Sequence, residues 1–295
     1  MNPSKDTAQA LHSRHDRTFD ANRFVYPVLS RRSGGISLGV NLNPDKVCNF
    51  DCIYCQVDRT RQSETRFVEI DALQVELETT LRWITSGRLY ETSQFAATPE
   101  RSRRLNDIAF SGDGEPTTYR NFDEIIAGCA GVKDRLGLNA VKMVLISNAS
   151  MFHREHVKRG LEILAAHQGE IWAKLEAGTD AYYQLVERTP IPFRQILDNI
   201  TQAARTWPLV IQSLFMRIDS QPPSANELAA FCDRLAEIKT AGGQIKLVQV
   251  YTVARKPTES FVAPLSDAEV DAIVALVTNR TGLPAAAFYG VQAAS

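Results

Sequence analysis

The 295-residue chain has no apolar run approaching the roughly 20 residues that a membrane-spanning helix requires. Its first residues, Met1 to Asp20, are polar and lack the hydrophobic stretch of a secretory signal. An excess of charge of one sign is also missing. With 33 Lys and Arg against 34 Asp and Glu, the net charge of -1 supplies no global attraction to nucleic acid. Only five cysteines are present, and three of them fall within eight positions, which excludes a disulfide framework and points to metal chemistry in a reducing compartment. Internal repeats and low-complexity tracts are absent. The expectation is a cytoplasmic globular enzyme with no membrane association, and 44% hydrophobic residues are enough to bury a core.

The three crowded cysteines are Cys48, Cys52 and Cys55, in Val47-Cys48-Asn49-Phe50-Asp51-Cys52-Ile53-Tyr54-Cys55-Gln56. Thiolates are soft ligands that select zinc, copper(I) or iron-sulfur clusters, and a closed structural site wants a fourth Cys or His within a few residues. None of the five His residues is near. Three thiolates without a fourth suit an iron-sulfur cluster with one iron left open for chemistry. The other readings fit less well: zinc lacks its fourth ligand, and a Cys52-x2-Cys55 redox pair leaves Cys48 without a role. Cys129 and Cys232 lie in helical patterns and are expected in the core.

Short apolar strands alternate with amphipathic helices. Strands are expected over 36–42, 107–110, 141–146, 171–175, 209–215 and 245–251. Asp71 can cap a helix with the stripe Leu73, Leu77, Leu81 and Ile84. Ser224 with Glu227, and Ser266 with Glu269, read as capping boxes, closed by Gly242-Gly243 and Gly282. Weaker helical patterns cover 121–136, 152–166 and 193–206. Strand then helix, repeated, argues for a parallel sheet in an α/β fold. Six units fall short of the eight that close a full barrel, which leaves a partial barrel or an open doubly wound sheet.

In parallel α/β folds the working groups gather where strands end. The unusual residues obey that rule: the Cys loop follows the first strand, Ser111 to Thr117 the second, Ser147-Asn148 the third, Glu176-Ala177-Gly178 the fourth, Arg217 and Asp219 the fifth, and Tyr251 to Arg255 the sixth. Gly112 and Gly114 let backbone approach a ligand closely, although a plain Gly-Asp-Gly turn also explains them. Ser147 and Asn148 serve equally as ligand contacts or as caps of the next helix, and Glu176 as a ligand contact or a partner of Lys174. His153 and His156 sit among charged residues and read as a solvated helix face. The clusters Arg31-Arg32, Arg59-Arg61-Arg66 and Arg101-Arg103-Arg104 read as solvated faces, with an anionic substrate as the functional alternative.

The Cys-x3-Cys-x2-Cys spacing, with Tyr54 directly before the last Cys, resembles the cluster loop of the radical S-adenosylmethionine (SAM) enzymes. In that superfamily three Cys hold a [4Fe-4S] cluster and SAM binds the fourth iron through its amino and carboxylate groups. Gly112-Asp113-Gly114-Glu115-Pro116 is similar to the superfamily's Gly-Gly-Glu-type motif, which holds the SAM amino group. Here Asp113 stands between the glycines, so Asp113, Glu115 or the backbone carbonyls are the alternative contacts. The resemblance further implies that Ser147 and Asn148 bind the SAM carboxylate or ribose, that Glu176 accepts from ribose hydroxyls, and that Tyr54 packs beside adenine or cluster.

Tyr26 to Arg32, Ser37 to Leu42 and Phe110 to Thr117 look like a set of bacterial and archaeal members grouped with wyosine-type tRNA-modifying enzymes. The implied fold is a partial (β/α)6 TIM-like barrel of parallel strands in one domain. Its expected organisation is a polar tail over 1–22, the barrel over 23–283 and a C-terminal extension over 284–295. The implied activity is reductive SAM cleavage to methionine and a 5'-deoxyadenosyl radical. An external electron donor such as flavodoxin or ferredoxin is implied with it, and the substrate is unassigned, a tRNA or another anionic molecule being the alternative. From another class, a non-enzymatic iron-sulfur or zinc redox sensor would use the same cysteines.

Overall fold

The computed structural model describes residues 19–30, 34–59, 65–255 and 257–290. Arg31, Arg32 and Arg61 lie outside the described residues, as do residues 1–18 of the expected tail and 291–295 of the expected extension. The chain packs as two compact units whose segments interleave in sequence. One comprises Met1–Val47, Gln62–Leu145 and Glu155–Glu170, and the other Cys48–Arg61, Ile146–Arg154 and Ile171–Ser295.

The first unit holds β1 (Val25–Leu29), β2 (Ile36–Val40), α1 (Ile70–Thr85), β3 (Leu105–Phe110), α2 (Phe122–Arg135), all but the last two residues of β4 (Lys142–Ser147), and α3 (Glu155–Ala166). β2, β3 and β4 pair in parallel, and β1 adds antiparallel to β2. β1 escaped the sequence reading because Pro27 interrupts it. A strand missing one N–H is tolerated where only one neighbour pairs with it, and β1 pairs with β2 alone. The stripe Leu73, Leu77, Leu81 and Ile84 of α1 is buried as expected. Asp71, expected as its cap, lies instead in the first turn, where its charge complements the helix dipole; Glu69 occupies the cap position without a side-chain bond.

The second unit holds all but the first two residues of β5 (Gly169–Lys174), then α4 (Asp180–Glu187), α5 (Phe193–Thr206), β6 (Leu209–Leu214), β7 (Met216–Ile218), α6 (Ala225–Thr240), β8 (Ile245–Tyr251), β9 (Val262–Pro264), α7 (Asp267–Thr281) and β10 (Ala285–Phe288). β5, β6, β8 and β10 pair in parallel in that order. β7 and β9 form a small antiparallel pair. β10 lies where a C-terminal extension was expected; its Ala-rich sequence carries no alternation to reveal a strand.

α7 has the complete capping box of Ser266 and Glu269 and ends at left-handed Gly282, as its sequence predicts. At α6 only half of the expected box forms. Ser224 caps the helix, but the Glu227 carboxylate turns away to accept from Gly178 N, Thr179 N and Thr179 Oγ1. It thereby satisfies the open amides at the start of α4. Glu227→Ala is expected to lower the unfolding free energy by about 1–3 kcal/mol, the cost of leaving buried donors unpaired. Urea denaturation measures this, and a loss below about 0.5 kcal/mol would show that water replaces the carboxylate without penalty.

Candidate functional site

In the first unit, the Gly-rich turn after β3 is assembled by residues of β1 and β2 and by the chain that follows them. Tyr26 Oη donates to the carbonyl of Ser111 at 3.0 Å, and its ring occupies the space that a side chain on Gly39 would fill. Asn41 grips Asp113 twice: Nδ2 donates to the Asp113 carboxylate at 2.7 Å, and Oδ1 accepts from Asp113 N at 3.1 Å. A Cβ on Gly112 would lie 2.2 Å from Asn41 Oδ1, and one on Gly114 would lie 2.2 Å from the carbonyl of Val47. These glycines are therefore required by close packing of the protein on itself, a reason beyond the approach to a ligand. Glu115 is buried and accepts from Thr117 N and Oγ1, capping a 3-10 turn over Pro116–Thr118. Asp113 remains half-buried, with its carboxylate oriented by Asn41.

In the second unit, the Cys loop is splinted by the end of α4. Asp51 N donates to Glu187 O at 3.1 Å, Ile53 N to Val186 O at 2.9 Å, and Thr189 Oγ1 to Asn49 O at 2.9 Å. Thr258 holds the Cys55 carbonyl from the other side, through N at 3.1 Å and Oγ1 at 3.2 Å. The main chain of the loop is thus fixed by partners outside it, so its shape does not depend on the cysteine side chains. Cys48, Cys52 and Cys55 form no disulfide and are all half-buried. Among the described residues, no three His, Cys, Asp or Glu side chains converge as they would on a single metal ion. A multi-iron cluster spreads its ligand sulfurs more widely than one ion does, so three half-buried thiols on one pinned loop match a cluster in donor type and number.

Beneath the loop lies a buried polar group that the sequence reading found only in part. Tyr54 Oη donates to Glu176, Tyr251 Oη donates to the other Glu176 oxygen at 3.2 Å, and Lys174 Nζ donates to Tyr54 Oη at 3.0 Å while lying 3.7 Å from the Glu176 carboxylate. Cys52 Sγ donates to Glu187 at 2.8 Å. Burial, reinforced by the charge of Glu176, holds the Glu187 carboxyl well above the ordinary carboxylate range. Burial together with Glu187 likewise pushes the Cys52 thiol up, and burial raises Tyr54. Burial opposes the charge on Lys174, but the surrounding acidic groups, Glu176 foremost, outweigh it and raise the lysine well above its usual range. Tyr54 and Tyr251 belong to one apolar cluster with Ile53, Val186, Leu214 and Met216.

Glu176 therefore has its oxygens spent on protein hydroxyls and its side chain fully enclosed. A ribose contact through it requires displacing one of them. Tyr54, too, sits as a core aromatic. Tyr251→Phe removes one donor from the enclosed carboxylate and is expected to cost about 1.5–3 kcal/mol, the range for hydrogen bonds to charged groups; thermal unfolding of the variant checks this.

Ser147 and Asn148 shape the turn after β4 and do not cap a helix. Ser147 Oγ accepts from Ala149 N and Asn148 Oδ1 from Ser150 N, both at 3.0 Å, and α3 starts only at Glu155. Asn148 Nδ2 also donates to Asn49 Oδ1 at 2.9 Å, inside the Cys loop, and Asn49 Nδ2 to Ser150 Oγ at 2.8 Å. The third-strand end and the Cys loop are thus joined directly. His153 is exposed and precedes α3, so it does not share a helix face with His156. Arg103 donates to the carbonyls of Ala96 and Thr98, and Arg104 to the carbonyl of Arg101 and to Asn106. This cluster lies at the start of β3, the opposite end of the strand from Gly112 and Asp113. Arg59 pairs with Asp51 at 3.2 Å. Arg217, at the fifth-strand end, donates to Ser220 O and pairs with Glu269.

Sequence reasoning missed Glu187; it placed Tyr251 at the sixth strand end and Lys174 as a partner of Glu176, both as found, and met Tyr26 and Asn41 only within the segments that carry the resemblance. The buried Cys129 and Cys232 were expected as core, and burial pushes the Cys129 thiol up to about 12. No helix among the described residues is long and apolar enough to cross a membrane.

The chain is 29% identical over 251 residues to a UPF0026 protein of Helicobacter pylori, covering 83% of this chain and 70% of the relative. It is 22% identical over 278 residues to a protein named GTPase Obg of Brachyspira hyodysenteriae, covering 92% of this chain but only 36% of that one. Among solved structures it is similar to Streptococcus suis SuiB bound to S-adenosylmethionine, with a TM-score of 0.57 and 15% identity over 88% of this chain and 52% of SuiB. That likeness shows a shared fold, the parallel β/α arrangement of partial-barrel type expected from the sequence. The model of the Radical SAM superfamily matches residues 42–221, which include the Cys loop, the Gly-rich turn and Glu176, and the chain belongs to that superfamily.

Proposed function

We propose that the chain is a SAM-cleaving enzyme in which Cys48, Cys52 and Cys55 hold a [4Fe-4S] cluster and the residues at the strand ends hold SAM. The observation that carries this reading is the Cys loop itself: three half-buried thiols on a main chain pinned from both sides, with no fourth ligand in the run. When bound, such a cluster supplies the electron that cleaves the SAM sulfonium, releasing methionine and a 5'-deoxyadenosyl radical that takes hydrogen from a substrate.

The protein's own residues have the tasks of holding and orienting. The SAM amino group is cationic and wants a carboxylate and carbonyls. Asp113 is favoured for it over Glu115, because Glu115 is buried and committed to its cap, whereas Asp113 is half-buried and oriented by Asn41. Asn148 joins the turn after β4 to Asn49, which supports a role for Ser147 and Asn148 in placing the SAM carboxylate or ribose against the loop. The apolar cluster around Ile53 and Tyr54 supports exclusion of water from that side.

Asp113→Asn is expected to weaken SAM binding at least tenfold, as loss of a charge-assisted hydrogen bond does. Titration of SAM into the anaerobically reconstituted protein measures this, and an unchanged affinity would transfer the amino group to Glu115 or the backbone. The proposal includes an external one-electron carrier of flavodoxin or ferredoxin type and a cytoplasmic setting. A tRNA substrate draws no support from Arg103 and Arg104, whose guanidiniums are spent on local carbonyls and Asn106. A non-enzymatic metal sensor predicts no SAM affinity and is separated by the same titration.

A further inference from the structure

Three neighbouring strands of the second unit break the usual pattern of a buried parallel sheet. Their registers place Lys174 of β5 beside Gln212 of β6, and Gln212 beside Gln249 of β8. Paired residues on adjacent strands share a face, so these three side chains form one row, and Glu176 and Tyr251 stand two residues further on along the same face. The alternate positions, Ala173, Ile211 and Val248, are apolar and buried. A sheet buried on both faces reads as continuous apolar residues unless a polar row has a task, because unpaired polar groups there are costly. Gln212 and Gln249 are 1% and 4% exposed.

The hydrogen bonding of the row defines what it can recognise. Gln212 Nε2 donates to Gln249 Oε1 at 3.2 Å. One bond between two carboxamides consumes one N–H and engages one oxygen, so that, with the amides turned as this bond has them, the Gln212 oxygen and the Gln249 N–H2 remain for a ligand. Lys174 spends its ammonium on Tyr54 and Glu176 and has three hydrogens to give. Read across the strands, the row then presents donor, acceptor and donor. The complement is acceptor, donor, acceptor.

We propose that Lys174, Gln212 and Gln249 form a substrate-recognition row for a cyclic imide edge, in which an N–H is flanked by two carbonyl oxygens. The carbonyls accept from Lys174 and from one amide, and the N–H donates to the other amide's oxygen. This inference rests on the reading above that the strand ends of this unit face SAM and substrate. It assigns a class of substrate edge and adds three residues that no sequence motif marked.

The test compares 1-methyluracil, which keeps the imide N–H between two carbonyls, with 3-methyluracil, which has the same size but a methyl at that nitrogen. Ligand-observed NMR on the reconstituted holoprotein, with SAM titrated in the same sample, reads binding of each. The expected result is at least a tenfold preference for 1-methyluracil, lost in the Gln212→Leu/Gln249→Leu double variant. Exchanging both partners for apolar residues of similar size leaves no orphaned amide, so that variant is expected to fold, and a urea transition checks it. Equal binding of the two probes, binding of neither, or selectivity retained in the folded double variant overturns the inference while SAM binding leaves the cofactor reading standing. Selective binding without any SAM affinity supports the row and overturns the cofactor reading instead.

Discussion

Replacing Cys48, Cys52 and Cys55 together by Ala is expected to yield a folded protein that retains no iron after anaerobic reconstitution and forms no 5'-deoxyadenosine above background. The loop's conformation is set by main-chain bonds to Val186, Glu187 and Thr258, none of which the substitution touches. Cys52, whose thiol donates to Glu187, loses that bond at a cost expected to be about 1 kcal/mol, the worth of an ordinary hydrogen bond. Function and stability therefore separate in this variant. Iron analysis, circular dichroism and a chromatographic assay for 5'-deoxyadenosine measure the two effects side by side. Retained SAM cleavage would remove the loop from the chemistry.

Gly114→Ala is the second large effect and acts by packing. The new Cβ would meet the Val47 carbonyl at 2.2 Å and Asn43 Cβ at 2.8 Å, and Val47 is the residue directly before Cys48. Backbone atoms cannot rotate aside, so the turn or the chain facing it must shift. We expect a loss of about 1–3 kcal/mol, as overpacking costs, together with at least tenfold weaker SAM binding. Gly131→Ala provides the contrast. It lies within α2, where the nearest atom to a new Cβ is a flexible Arg135 guanidinium nitrogen at 3.6 Å, and there Ala should stabilise by about 0.5–1 kcal/mol. Opposite signs from the same substitution, read by urea denaturation, would confirm that close approach governs Gly114. A Gly114→Ala variant as stable and as tight for SAM as the parent would contradict it.

How much of this was legible before any coordinates depended on whether a residue's role was local. The Cys loop declares itself because its three cysteines fall within eight positions, and the capping box at Ser266 because its partners are three apart. Parallel strands with helices between them follow from the apolar spacing. Glu227 misled because its sequence context fits a capping box, yet its carboxylate serves a turn 49 residues earlier. Lys174, Gln212 and Gln249 each sit in a strand that reads as apolar, and only the register across three strands shows that they form a row. β1 was hidden by Pro27, and β7, β9 and β10 by brevity or by small residues. The Gly-rich turn was read as a ligand cradle from its glycines, but its shape owes as much to Tyr26 and Asn41, whose chemistry is ordinary and whose reach is 72 to 85 residues.

The central claim is that this chain cleaves SAM at a three-Cys cluster. The most direct measurement reconstitutes the wild-type protein without oxygen, determines iron and sulfide, and incubates it with SAM and dithionite before chromatography. About four irons and four sulfides per chain, with 5'-deoxyadenosine formed, is the predicted result. Zinc in place of iron, or an intact cluster that leaves SAM untouched, would contradict the account.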